Sequence, residues 1–301
     1  MFKNARLYRL DAPSTIDAEG LENRLAERLF RPCGPLETAS FGWCPPLGGQ
    51  TQALVHAGNG CVALCARRQE RLLPSAVVAE AVDERVAELE SREARDVGRT
   101  ERRHLREEVM LDMLPRAFTR SRQVRAYLDL VGGWMVIDAA SEKAAEDLVG
   151  LLRETLGSFR VRPPRPEQSP TTLMTSWVTA GDTPEGLDLG DECELRDPHN
   201  ERSLVRCRGQ DLSGEEISTH LSAGKEVVKL ALQWQEHLEF LLQDDLSLKR
   251  LKFADELIEE AVESDVEDEA ARFDAEFAIM ALQLRELIGR LDKVFVMAGE
   301  A

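Results

Sequence analysis

Three short turns do most to limit what this chain can fold into. Residues 124–140, VRAYLDLVGGWMVIDAA, place apolar-rich runs on either side of Gly132-Gly133. Glycine takes positive φ without steric cost, so the pair reads as the turn of a β-hairpin. Gly58-Asn59-Gly60 reads the same way inside Ala53–Ala66. Asp244-Asp245 does so between His237–Leu242 and Ser247–Phe253. Hairpins impose antiparallel pairing, and a two-stranded hairpin cannot bury its own apolar face. Each therefore needs further strands or helices over it.

The covering elements are legible as periodicities. Ala5–Asp11 alternates and predicts a strand. Asp17–Phe30 carries Leu21, Leu25 and Leu29 at the spacing of an amphipathic helix. Residues 31–49, rich in Pro and Gly, read as an ordered loop pinned by Phe41 and Trp43. Ser75–Leu114 is helical, with Val78, Val82, Val86 and Leu89 on one stripe and Leu105, Val109 and Met113 on another. Its polar middle, Glu90–His104, contains Gly98 and predicts an arm or helical hairpin reaching away from the core. Ser141 caps a helix to Leu156, with Gly157 as its stop. Thr171–Ala180 reads as a short helix; Leu187–Arg196, Ser203–Arg208 and Val227–Gln235 read as strands. Ser213-Gly-Glu-Glu216 has the form of a capping box. Arg272–Met280 alternates Phe273, Ala275, Phe277 and Ile279 like a strand, before a final helix Ala281–Val296. The expected class is α+β, with mixed, largely antiparallel sheets, flanking helices and an extended helical arm. The proline-rich run 158–170 suggests two halves. Residues 1–165 would hold the arm 75–114 and a basic turn 115–125; residues 166–301 would hold an acidic stretch 253–276.

Charge is distributed unevenly. Acids outnumber bases by 55 to 38, a net charge of −17. A uniformly negative body would repel nucleic acid. However, Phe253–Glu276 alone holds eleven acids against Arg272, or −10 of that total. Positive charge collects at Arg116, Arg120, Arg122 and Arg125, with no acid among them. Pro115 ends the preceding helix there. Two readings stay open for these arginines: a guanidinium fork matched to phosphate oxygens, or ordinary solvated charges. Arg202, Arg206 and Arg208 share a strand face by even spacing, and Lys249, Arg250 and Lys252 form a further basic run.

The sequence offers little to a catalytic reading. It has no phosphate-binding GxxxxGK[ST] loop, no HExxH and no GxSxG; Gly42 and Gly48-Gly49 make no dinucleotide fingerprint. Asp244-Asp245 and the Asp265–Glu269 cluster are the places where a nuclease-type divalent metal could sit. The first is ordinary turn chemistry, and the second lacks the glycine and spacing of a calcium loop. The expectation is no enzyme, no metal and no cofactor. Cys33, Cys44, Cys61, Cys65, Cys193 and Cys207 contain no CxxC pair and read as free thiols of a reducing compartment. The N-terminus lacks the apolar core of a signal peptide, and no apolar run reaches membrane-spanning length. A cytoplasmic setting is expected, with no membrane partner.

MLPRAFTR, KLALQWQ, DLSLKRLKFADEL and RFDAEF, with ARLYRL, FRPCG, FGWCPPLG, CARRQERLLPS and LVGGWMVIDAAS, resemble the RdgC family of bacterial recombination-associated proteins. The resemblance runs from Phe2 to about Leu291. It implies a homodimer closed into a ring with a positive inner surface. It implies binding of single- and double-stranded DNA without sequence preference, on the nucleoid, and antagonism of RecA, without enzymatic activity. An acidic exterior around a basic hole would reconcile net charge with DNA binding. In that setting Phe118 reads as an apolar key inserted into the partner subunit, or else as a residue packed in its own core. Arg116 and Arg120 flank it, facing DNA or a partner carboxylate. The stretch RCRGQDLSGEEI matches a family segment with two lysines before the glutamine; here Arg208 and Gly209 precede Gln210. One cation is lost, which removes a side-chain phosphate contact at Gly209, although its backbone N–H could still serve. The resemblance thus marks Arg116, Arg120, Arg206, Arg208, Gln210, Lys249, Arg250 and Lys252 as DNA-facing, beside Arg122 and Arg125 from the basic turn. A protein-interaction regulator that acts on the recombinase through the acidic stretch is the alternative. A metal-dependent nuclease at the acidic pairs is the third reading.

Overall fold

The computed structural model describes residues 1–11, 17–257 and 269–297. The chain forms two compact units. The first comprises Met1–Glu27, Pro45–Cys65 and Val124–Ala301; the second comprises Arg28–Cys44 and Ala66–Gln123. Residues 165 and 166 both lie in the first.

The first unit is built on β1 (Asn4–Leu10), which is flanked by β6 (Trp134–Ile137) and β12 (Leu248–Phe253). Both neighbours pair antiparallel to it. Leu7 and Tyr8, which alternate to opposite faces, are both buried, so both faces of β1 are covered. From β12 the ladder continues through β11 (Leu238–Gln243), β10 (Glu226–Trp234), β8 (Leu187–Asp197) and β9 (Asn200–Arg208), which is an edge. Every pair is antiparallel. The three predicted hairpins are present. Val55–Gly58 (β3) folds onto the start of β4 (Cys61–Leu72), the end of β5 (Phe118–Asp129) onto β6, and β11 onto β12. A two-residue strand, β7 (Val161–Arg162), pairs with β1.

Helices cover this sheet. α1 (Ala18–Ala26) buries Leu21 and Leu25. α4 (Glu142–Leu156) starts at Ser141, whose hydroxyl accepts from the Ala144 amide, and stops at Gly157, φ 76°. It lies where the Tyr8 hydroxyl donates to Glu146 at 2.7 Å. α5 (Pro170–Ala180), α6 (Glu215–Ser222) and α7 (Glu269–Phe295) contribute Trp177, Ile217 and a stripe from Phe277 to Phe295 to the main core.

α7 corrects the strand expected at Arg272–Met280. Phe277, Met280, Ala281, Leu284, Leu287, Ile288, Leu291 and Phe295 are buried at helical spacing over one 27-residue helix. Phe273 and Phe277, four apart, stack with centroids 6.1 Å apart. The alternation of 273, 275, 277 and 279 is incidental, because two of those four positions fit the 3.6-residue period equally well. The capping box is also corrected: Gly214 is the N-cap, and the Ser213 hydroxyl donates to Asp211 instead. Of the acidic stretch, residues 258–268 lie outside the described residues.

The second unit has strands in the order β2-β4-β5, where β2 is Ala39–Cys44. Residues 31–49 are therefore not wholly loop. Trp43 is 1% exposed, and its amide and carbonyl bond Arg28 and Phe30 at 2.9 and 2.8 Å. Leu29 bridges Trp43 and is exposed, so the first helix ends short of it. Gly42 permits this approach: a Cβ there would lie 2.7 Å from Phe30 Cα. The arm is a helical hairpin, α2 (Ser75–Glu93) and α3 (Arg99–Met113), joined through Ala94, which is left-handed, and Gly98, which is extended. Its small core is Val78, Val82, Val86 and Val109. The basic turn is corrected too. Leu114–Arg116 form a 3-10 turn, and from Phe118 the chain is the long strand β5.

Candidate nucleic-acid interface

In the first unit one open cleft of about 910 Å³ gathers Gly209 and Gln210 from the end of β9, Glu192 from β8, Glu239 from β11, and Arg250 and Lys252 from β12. Two irregularities shape it. Between the pairs Leu189↔Leu232 and Cys193↔Leu230, β8 runs three residues against one on β10. Gly190 sits there, with Ala231 so close that a Cβ would lie 2.8 Å from it. On β12, Arg250 and Leu251 stand against Phe240 alone, between Glu239↔Lys252 and Leu241↔Lys249. Arg250 has φ 51°. This bulge breaks the simple alternation expected for Lys249–Phe253 and turns Arg250 into the cleft; bulges commonly re-aim a side chain in this way.

Carboxylates hold the cations of this face. Glu192, 15% exposed, accepts from Arg250 and pairs with Arg208 at 3.2 Å. Burial alone would raise its pKa; the hydrogen bond and charge of Arg250, with those of Arg208, outweigh that and hold it low. Glu194 pairs with Arg206 at 2.8 Å and Lys229 at 3.3 Å, and Glu239 with Lys252 at 3.2 Å. Arg206 and Arg208 are directly opposite Glu194 and Glu192 in the ladder, which places all four on one sheet face. Lys249 is separate from the cleft: its ammonium donates to the Ala140 carbonyl at 2.7 Å. Burial, and then Arg6, depress its pKa. Gln210 is exposed, and its backbone N–H donates to the Asp191 carbonyl at 3.2 Å.

In the second unit Glu70 on β4 faces Arg68, Arg120 and Arg122, at 2.7, 3.7 and 3.5 Å. Burial raises its pKa, but the Arg68 hydrogen bond and the charges of Arg122, Arg68 and Arg120 bring it below the usual range. Arg120 and Arg122 share a face of β5 with Phe118, which is 85% exposed. The reading of Phe118 as a residue of its own core is thereby excluded. Arg116 is exposed beside a cleft lined by Leu73, Arg85, Asp112 and Met113, and has no carboxylate partner among the described residues. Arg125 lies in the first unit, exposed near Glu276 and Phe277.

Sequence reasoning missed a further basic group. Arg99, Arg102, Arg103 and Arg106 of α3 line one cleft of about 490 Å³ in the arm. Of these four, only Arg102 has an ion pair among the described residues, with Asp83. The signal was present: positions 99, 102, 103 and 106 fall on one side of a helix. It was obscured because the segment reads simply as polar.

The acidic pairs divide. Asp244 accepts from Arg196 at 2.9 Å, and Asp245 from Ser247 and Arg6, so both are engaged as turn residues. The cluster at 265–269 falls outside the described residues except for Glu269. Among the described residues no three His, Cys, Asp or Glu are grouped to hold a metal ion, and no helix is long and apolar enough to cross a membrane. All six cysteines are thiols outside any disulfide; Cys61, Cys65 and Cys193 are buried.

Residues 1–298 match the family model described as "Putative exonuclease, RdgC". The chain belongs to the RdgC family. Curated relatives named recombination-associated protein RdgC, from Salmonella typhimurium, Salmonella typhi and Salmonella paratyphi B, are each 42% identical over 300 residues. Those alignments cover 100% of this chain and 98% of each relative. The two descriptions differ in what they say of activity: the family model names an exonuclease, and the RdgC relatives a recombination-associated protein.

Proposed function

We propose that this RdgC-family chain binds single- and double-stranded DNA without sequence preference. It does so as a ring-shaped homodimer that encircles DNA and negatively modulates RecA-dependent recombination. The observation that carries the reading is the convergence of Gln210, Arg250 and Lys252 on one open cleft, whose Glu192 also pairs with Arg208. These groups suit phosphate oxygens and read no base edge in particular. Binding would exchange the carboxylates Glu192 and Glu239 for phosphates and release counterions from the DNA. Arg116, Arg120 and Arg122 supply a second set of contacts beside Phe118. The Phe118 ring, 85% exposed, is available as an apolar key for a second copy, and large aromatics are common anchors of such contacts. RecA is antagonised by occupancy of DNA, and the protein resides on the nucleoid in the cytoplasm.

The protein performs no catalytic step in this account. Incubation with magnesium and end-labelled DNA tests that point: intact DNA is expected, and progressive shortening that EDTA stops would overturn it. Binding is tested with duplexes of unrelated sequence, which should bind within a few-fold of one another. A strong preference for one sequence would contradict the reading.

A further inference from the structure

Cys193 and Cys207 stand directly opposite each other on β8 and β9. Opposed residues of an antiparallel ladder have Cα atoms about 4.5 or about 5.5 Å apart, according to the kind of pair. Both separations lie within the roughly 4.4–6.8 Å that a disulfide spans. Directly paired side chains also share a face, so the two thiols are neighbours. Cys193 is 1% exposed, whereas Cys207, on the edge strand, is half-buried. Cys207 is thus the more accessible of two neighbouring thiols, although it too packs against the main core. Cys61 and Cys65 offer no such arrangement, because they lie four residues apart along one strand, roughly 13 Å.

We propose that Cys193 and Cys207 form a reversible cross-strand disulfide, with a small-molecule disulfide such as glutathione disulfide as the oxidant. The Cys207 thiolate attacks one sulfur of glutathione disulfide, and the first glutathione leaves as a thiolate that takes up a proton. Cys193 then gives up its proton to solvent and attacks the Cys207 sulfur of the mixed disulfide. A sulfur–sulfur bond forms between the strands, and the second glutathione leaves and is protonated. Two protein thiols are oxidised and one external disulfide is reduced to two thiols. Burial, and next the adjacent Cys207, push the Cys193 thiol up, so the closing step accelerates as pH rises. The bond would tie the edge strand to β8 on the face opposite Arg206 and Arg208. The proposal rests on strand register and stands apart from the DNA-binding reading.

The test equilibrates the full chain in glutathione buffers from reduced to oxidised, quenches in acid, alkylates the remaining thiols and maps peptides by mass. The expected product is lighter by two hydrogens, with Cys193 and Cys207 linked in one cross-linked species that dithiothreitol returns to two alkylated cysteines. Cys193→Ala should stop at a glutathione adduct on Cys207, and Cys207→Ala should leave position 193 reduced. The proposal is overturned if both wild-type cysteines stay alkylatable in the most oxidising buffer. It is equally overturned if Cys207 carries glutathione while Cys193 stays free. The wild-type result decides even if a variant fails to fold.

Discussion

Glu192 holds Arg250 of the cleft and its neighbour Arg208, and Glu70 holds Arg120 and Arg122 in the second unit. On the proposed function these carboxylates are place-holders for phosphate, so removing their charge should free the arginines. Glu192→Gln and Glu70→Gln are expected to tighten duplex binding several-fold at fixed salt, measured by fluorescence anisotropy; weaker binding by either would contradict the place-holder role. The same pairs set a pH dependence. Glu192 has a folded pKa below its ordinary 4.5, so its contribution to stability is full above that value and is lost as pH falls through the folded one. Chemical denaturation between neutral and acid pH should show a shallower acid loss for Glu192→Gln than for wild type. An identical slope would mean that the pair adds nothing. At this scale the sequence was informative about residue type but not about partners. Even spacing placed Arg206 and Arg208 on one strand face, yet nothing in the sequence indicated that each had a glutamate opposite it. That follows from the β8–β9 register. Lys249 looked equivalent to Arg250 and Lys252, but β1 pairing and the bulge at Arg250 send it to Ala140.

The three hairpins and the capped helix α4 were legible because each rests on local chemistry: turn glycines, an aspartate pair, and a serine–glycine frame. β2 was obscured, since Pro and Gly around Phe41 and Trp43 resemble a loop. Its pairing with β4 is a long-range contact, and the close approach of Phe30 to Gly42 on its other side is equally invisible in local sequence. α7 was misread over its first turns, where a period of two and one of 3.6 coincide for a few residues. The helix makes a sharp prediction. Ala278→Pro should cost about 3 kcal/mol or more of stability by removing a backbone bond and kinking the helix. Urea denaturation measures this, and a cost near zero would argue for an extended segment. The arm has its own test. If the α3 arginines touch phosphate, Arg99→Gln/Arg103→Gln/Arg106→Gln should make the salt slope less steep by about 1 for each phosphate no longer neutralised. An unchanged slope would leave them as solvated charges. The valine stripe of the arm was legible as a hairpin core, but the basic side was not, because its meaning depends on which residues α2 leaves uncovered.

For the whole molecule, a net charge of −17 and a DNA-binding role are compatible only if charge is segregated. A segment carrying −10 within 24 residues and a cleft lined by Arg250 and Lys252, with Arg208 paired to its Glu192, are consistent with that. Assembly belongs to this scale as well. Phe118 is expected to be an anchor of the contact between copies, so Phe118→Ser should weaken the dimer by about 2 kcal/mol or more, roughly thirtyfold in Kd. Sedimentation equilibrium measures it, and an unchanged dimer would remove Phe118 from the interface. The most direct test of the central claim is duplex-DNA affinity across a salt series, with the mass in solution followed in parallel. A dimer that neutralises about six to eight phosphates should give a slope of log K against log salt of roughly −5 to −7. Arg208→Gln/Arg250→Gln/Lys252→Gln should make it shallower while the protein stays dimeric. A slope near zero, or one that the triple substitution leaves unchanged, would contradict the account.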